Sequence, residues 1–281
     1  MNQSLVQLLV HFDASPQAVQ RLEAACRLGK IHGAALTALY AVTPSFVDLP
    51  FAPEIGPDMA AALRAVDAAQ QARALAAFTQ SLQASSSQAA WAEVCDAPVA
   101  AVFAQQAFYA DLLVLGQHDP SEPSSAGVPR DFVETVLATS GKPALILPYV
   151  ETAAKEFSSQ SVVIAWKPGR EAARAVSAAM PLLQRAQSVH ILSWAGEEEA
   201  VNGERLDLSG YLRLHGVQAL WHRENQEPKA LGELLLSRAF DLGADLLVMG
   251  CYGHSRAREW MLGGTTRTVL RAMTLPVLMA H

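Results

Sequence analysis

The chain has 281 residues, of which 51% are hydrophobic and 17% charged, and a net charge of −6. Such a length allows one large or two ordinary domains, and this composition excludes a mostly disordered chain. The acidic balance leaves no electrostatic footprint for duplex nucleic acid, and no apolar run reaches the ~18–20 residues that span a bilayer.

At the start, "LVQLLVHF" (Leu5 to Phe12) has no basic segment before it and runs straight into "DASPQAV". It reads as a first strand and not as a signal peptide. Asp13, directly after it, reads as the N-cap of the first helix. Next comes "TPSFVDLPFAPEIGPDM", whose Pro44, Pro50, Pro53 and Pro57 forbid a continuous helix or central strand. "DLLVLG" (Asp111 to Gly116) and "TVLATSGKPALILP" (Thr135 to Pro148) follow, and then the polar stretch "YVETAAKEFSSQ". Cys26, Cys95 and Cys251 lie far apart, which fits small core residues in a reducing cytoplasm.

From Ser161 the chain repeats itself. "SVVIAWKPGREAARAVSAA" parallels "QLLVHFDASPQAVQRLEAA", "DLLVMG" (Asp245 to Gly250) parallels "DLLVLG", and "TVLRAMTLPVLMA" parallels "TVLATSGKPALILP". Three blocks in the same order indicate a tandem duplication, with domains at 1–150 and 158–281. The first half is longer, and the proline-rich stretch accounts for the excess. The second half offers five short apolar runs, "SVVIAW", "SVHILSW", "VQALWH", "DLLVMG" and "PVLMAH", separated by helical patterns. Ala172, Ala175, Val176, Ala179, Leu182 and Leu183 follow helical spacing, with Pro181 set to kink or end the helix. Leu231, Leu234, Leu235 and Ala239 form a second stripe, and Gly243 suits the position after a helix end. Alternating strands and helices imply an α/β fold of two tandem, doubly wound parallel sheets, with ligands expected at the carboxyl ends of the strands.

"GCYGHSRAREWMLGGTT" (Gly250 to Thr266) leaves one such strand end. A helix starting near Thr265 or Thr266 presents free backbone N–H groups, glycines at 263 and 264 let an anion approach them, and the threonine hydroxyls add donors. From His254 to Arg271 the local net charge is +3. These features point to phosphate.

The pattern Gly250-x2-Gly253-x9-Gly263, followed by small and hydroxyl residues and a helix, resembles the nucleotide-binding signature of the universal stress protein family, G-x2-G-x9-G-[S/T]. The resemblance extends over both halves. It implies two domains of the five-stranded, adenine nucleotide alpha hydrolase-like type, paired within the chain as a pseudo-dimer and open to homodimer formation. It also implies a cytoplasmic stress-response protein that binds ATP, with Mg2+ as the nucleotide's companion. By the same resemblance Ala165, Trp166, Lys167, Met249, Gly250, Gly253 and His254 line the nucleotide path, and Gly263, Gly264, Thr265 and Thr266 hold the phosphates.

Two departures bear on the site. Gly264 stands where the family has Ser or Thr, and Lys167 stands where ATP-binding members have the Asp that the first half keeps as Asp13. In the first half Asp119 replaces the second glycine and Arg130-Asp131 replaces the glycine pair, so phosphate would be repelled there. The second half is therefore the expected nucleotide site. Cys251 and His254 have no second pair at zinc spacing, and the other histidines are scattered, so no metal site is expected. "GHSRA" is close to a nucleophile elbow, but no acid–histidine sequence follows it. No catalytic residue is assigned, and the pattern points to binding and signalling. A slow ATPase or other adenine-nucleotide enzyme is one alternative; a scaffold or a binder of another small ligand is the second.

Overall fold

The computed structural model describes residues 5–45, 56–94, 97–122, 127–150, 157–194, 206–224, 230–251 and 264–281. They fall into two units, Leu5–Lys142 and Pro143–His281. The division lies ahead of the strand that closes the first repeat.

The first unit contains β1 (Gln7–Phe12), α1 (Pro16–His32), β2 (Ala35–Ala41), α2 (Pro57–Ser85), β3 (Ala90–Val94), α3 (Val99–Ala107), β4 (Leu112–Gly116) and α4 (Phe132–Ser140). Its strands are ordered β3-β2-β1-β4. All the pairings are parallel, with Leu8 opposite both Leu36 and Leu112. Leu8, Val10, Leu113, Val114 and Leu115 are wholly buried, as expected for strands covered on both faces. The proline-rich stretch lies outside the described residues except at its ends, and Pro57 opens α2 at a position where proline costs nothing. Part of the first half's excess length sits in this helix, which has 29 residues against 7 in its counterpart in the second unit.

The second unit contains β5 (Ala144–Leu147), β6 (Ser161–Ala165), α5 (Arg170–Leu183), β7 (Ser188–Trp194), α6 (Leu208–Leu214), β8 (Leu220–Glu224), α7 (Leu231–Asp241), β9 (Leu246–Gly250), α8 (Gly264–Ala272) and β10 (Val277–Ala280). The order is β5-β10-β9-β6-β7-β8. The five apolar runs of the second half are the five strands β6 to β10. The pairings among them are parallel. β5 is the exception: it runs antiparallel to β10, with Leu145 opposite Leu278. The closing strands of the two repeats thus pair with each other, and both are buried along their whole length. No described helix is long and apolar enough to cross a membrane.

The helices of this unit carry the stripes that cover the sheet. All six residues of the α5 stripe are buried, and burying Leu182 or Leu183 contributes ~1.5–3 kcal/mol each relative to exposure. Pro181 falls in the last turn, and the helix ends two residues later. In α7 only Leu235 and Ala239 of the expected stripe are fully buried, joined by Gly232. A Cβ on Gly232 would stand 2.7 Å from Cβ of Thr268, so this glycine lets α7 lie directly on α8. Gly243 follows the end of α7 with φ +61°, the left-handed conformation that glycine takes without strain.

Candidate functional site

In the second unit the chain leaves β6 toward β7 on one side and β9 toward β10 on the other. The crevice where a doubly wound sheet binds ligands therefore opens at the carboxyl ends of β6 and β9. Ala165 and Met249 are register partners at that point. The Trp166 N–H donates to the Leu192 carbonyl at 2.9 Å, which ties the β6 exit to β7, and Lys167 beyond it is exposed. Gly250 pairs with Ala280. The strand pairings thus gather Ala165, Trp166, Met249 and Gly250 at one rim, with Lys167 next along the chain. Gly253, His254 and Gly263 lie outside the described residues.

Gly250 owes its identity to the fold. A Cβ there would stand 2.5 Å from the backbone nitrogen of Ala172 and 2.9 Å from Cβ of Glu171. The first turn of α5 thus rests on the bare Cα at the end of β9. The neighbour that needs the glycine is the protein's own helix, and its φ is not in the left-handed range. Cys251, next in the chain, is buried, and burial with the nearby Glu171 charge pushes its thiol up to about 12, so it remains protonated. His281 closes the same rim. Arg174 donates to the His281 carbonyl at 2.8 Å, and the His281 ring lies 3.2 Å from the Cys251 carbonyl.

α8 starts at Gly264, which is exposed; a Cβ there would meet nothing within 4 Å. Thr265 is half-buried, Thr266 is buried and Arg267 is exposed, so Gly264, Thr265 and Arg267 are the accessible residues of the first turn. That turn carries no acidic residue. First-turn N–H groups and the positive end of the helix dipole suit an anion at such a position. The equivalent helix of the first unit, α4, has Asp131 as its N-cap residue and Glu134 in its first turn.

The first unit has a different rim. The carboxyl ends of β1 and β4 enclose a cleft of about 30 Å³, room for little more than a water molecule or two. Asp13 is not the N-cap of α1; that residue is Ser15. Asp13 is buried two positions earlier and accepts hydrogen bonds from the Ser15 N–H at 2.9 Å and from the Ser15 hydroxyl. It also pairs with Arg21 Nη2 at 3.1 Å. Arg21 is buried on α1, donates Nε–H to the His11 carbonyl at 2.9 Å, and lays its guanidinium against the Cα of Gly116. Burial would raise the Asp13 carboxyl, but Arg21, with His11 and Ser15, outweighs it and holds the group below its ordinary range. Burial, and then the Arg21 charge, lower His11 to about 4, so its ring is neutral at pH 7 and meets the Ala41 carbonyl at 3.0 Å.

Sequence reasoning missed Arg21 and His11. One signal was available: the residue of the second repeat that aligns with Arg21 is Ala175. A charge facing an alanine across a duplication marks a position where the two copies have divided their tasks.

The universal stress protein family model matches residues 158–281. A universal stress protein of Synechocystis is 53% identical over 38 residues, which are 14% of this chain and 13% of the length of that relative. The solved universal stress protein of Archaeoglobus fulgidus superposes with a TM-score of 0.70 at 18% identity, covering 99% of this chain and 96% of that one. A protein of unknown function from Pseudomonas aeruginosa gives 0.59 at 16% identity, over 98% and 92% of the two chains. At these identities the two structures establish a shared α/β fold over both repeats.

Proposed function

With the second half, residues 158–281, belonging to the universal stress protein family, we propose that the chain is a stress-response protein whose second unit holds ATP at the rim formed by β6, β9 and the start of α8. The observation that carries this reading is the first turn of α8. Among the described residues nothing lies within 4 Å of a Cβ on Gly264, Thr265 adds a hydroxyl, and the first turn contains no acidic residue. The first-unit rim is already filled by its own Arg21–Asp13 pair and bears Asp131 and Glu134 at the matching helix start. Binding is therefore expected once per chain. Mg2+, in this reading, travels with the triphosphate.

Lys167 sets the character of the site. An ammonium only donates, so it attracts phosphate by charge and cannot accept a bond from a ribose hydroxyl as a carboxylate would. Discrimination between ATP and GTP is accordingly weak, within about tenfold. Calorimetry on the full chain tests the assignment. One ATP per chain is expected, with affinity reduced at least tenfold by Gly264→Val in a folded protein. Two equal sites, or a Gly264→Val protein that binds as the wild type does, would overturn the assignment.

A further inference from the structure

Two histidines that are 32 positions apart in sequence meet in the second unit. The parallel register of β7 and β8 sets His190 opposite Leu220 and His222 opposite Leu192. Side chains two apart on a strand share a face, so both imidazoles project from the same side of the sheet. His190 Nδ1 lies 3.0 Å from His222 Nε2. The ring centroids are 5.2 Å apart. The two rings therefore meet nearly edge to edge, each with a nitrogen turned into the gap. Both are half-buried, which leaves one side open to water. On that face Glu224, two residues beyond His222, pairs with Arg238 of α7. Arg223 projects from the opposite face, over the Trp221 ring.

We propose that His190 and His222 form a two-imidazole site for a borderline divalent transition-metal ion of the Zn2+, Ni2+ or Cu2+ class, with water completing the coordination. Imidazole nitrogens bind such ions at ~2.0–2.1 Å, and a tetrahedral angle then separates two ligating nitrogens by about 3.3 Å. The nitrogens have to part by about 0.3 Å, and both rings have to swing so that their lone pairs converge on the ion beside the N–N line and not on each other. Neutral imidazole is the ligating form, and burial, followed by the His222 charge, lowers the pKa of His190, which keeps that form present. Whichever ring now donates across the gap has to move that proton to its outer nitrogen before both facing nitrogens can ligate. Among the described residues no group of three or more His, Cys, Asp or Glu is gathered for a metal, so the proposed site rests on these two imidazoles. The ion is therefore exchangeable. Nitrogen ligands favour Cu2+ over Ni2+ and Zn2+ and exclude Mg2+ and Ca2+, which seek oxygen.

The test is calorimetry of the metal-stripped full chain with NiCl2 and with ZnCl2 at pH 7.5. His190→Gln and His222→Gln should each weaken binding at least tenfold, and the double variant should lose little more. Lowering the pH to 5.5 should weaken binding as protons compete for the rings. In the wild-type protein, substoichiometric Ni2+ should broaden the imidazole NMR signals of these two histidines before any others, a readout that does not depend on how the variants fold. The proposal fails if neither substitution changes the affinity, if broadening begins at other residues such as His281, or if no ion binds below about 1 mM.

Discussion

The rims of the two units began as copies and now hold opposite contents. In the first, the end of β1 and the start of α1 are locked by Asp13, Arg21 and His11, all buried, and the remaining cleft has room for little more than a water molecule or two. In the second, the position matching Asp13 is the exposed Lys167, and the position matching Arg21 is Ala175. There α5 presses its backbone onto Gly250, and among the described residues nothing stands within 4 Å of a Cβ on Gly264 at the start of α8. The difference shows how one copy of a repeated rim can be taken up by internal structure while the other is not. The Arg21 guanidinium fills the crevice from within, and the buried Asp13 carboxylate is its partner.

The contrast is broken most directly at Arg21. Arg21→Met leaves Asp13 buried without its counter-charge and should cost about 3–5 kcal/mol, whereas Lys167→Met should stay within about 0.5 kcal/mol. Urea titration, with hydrogen exchange of β1 and β6 amides to resolve the units, measures both. Adding Asp13→Asn to Arg21→Met should restore at least half of the loss; if it does not, the pair is not what holds this rim.

Acid should sharpen the contrast next. His11 is lowered to about 4 in the folded chain, against an ordinary value near 6.5 when unfolded. The unfolded chain thus takes up the proton first. The stabilisation is complete above about pH 6.5 and is lost as the pH falls toward 4, by about 2 kcal/mol at pH 5. Asp13, whose pKa is depressed, adds a second loss only below about pH 4. Hydrogen exchange at pH 7 and pH 5 should show β1 and β4 weakening, and His11→Gln should flatten that response. An equal response in β6 and β9 would contradict it.

The smallest effect separates two glycines of one motif. Gly250→Ala drives a Cβ into the α5 backbone and should destabilise by about 2 kcal/mol. Gly264→Ala enters open space and should change stability by less than about 0.5 kcal/mol. Thermal melts of the two variants check the ordering. If Gly250→Ala is neutral, that glycine serves the ligand and not the helix.

What could be read from the sequence was local or repeated. The strands of the second half announced themselves as apolar runs, the α5 stripe by its spacing, and Gly243 by its place after a helix. The glycines at 250 and 264 were legible as a loop-to-helix signal, but their separate reasons were not, because Gly250 answers to a helix some 80 residues earlier in the chain. Arg21 sits amid an ordinary helical pattern, and only the bare Cα of Gly116 across the fold makes room for its guanidinium. His190 and His222 carried no spacing signal, since strand pairing alone brings them together. The place of β5 depended likewise on a partner 130 positions away.

That partnership has a consequence for the chain as a covalent object. β10 is bonded on one side to β9 and on the other to β5, and its residues are buried throughout. Without residues 144–147 it would present a bare row of amides and carbonyls flanked by Val277, Leu278 and Met279, a template to which any extended apolar segment could attach. Within one polypeptide, β5 is supplied to that row at an effective concentration of about millimolar or higher, whatever the concentration of the protein. Severing the chain between Val150 and Phe157 would turn the same pairing into an encounter between two molecules, subject to dilution and open to competitors.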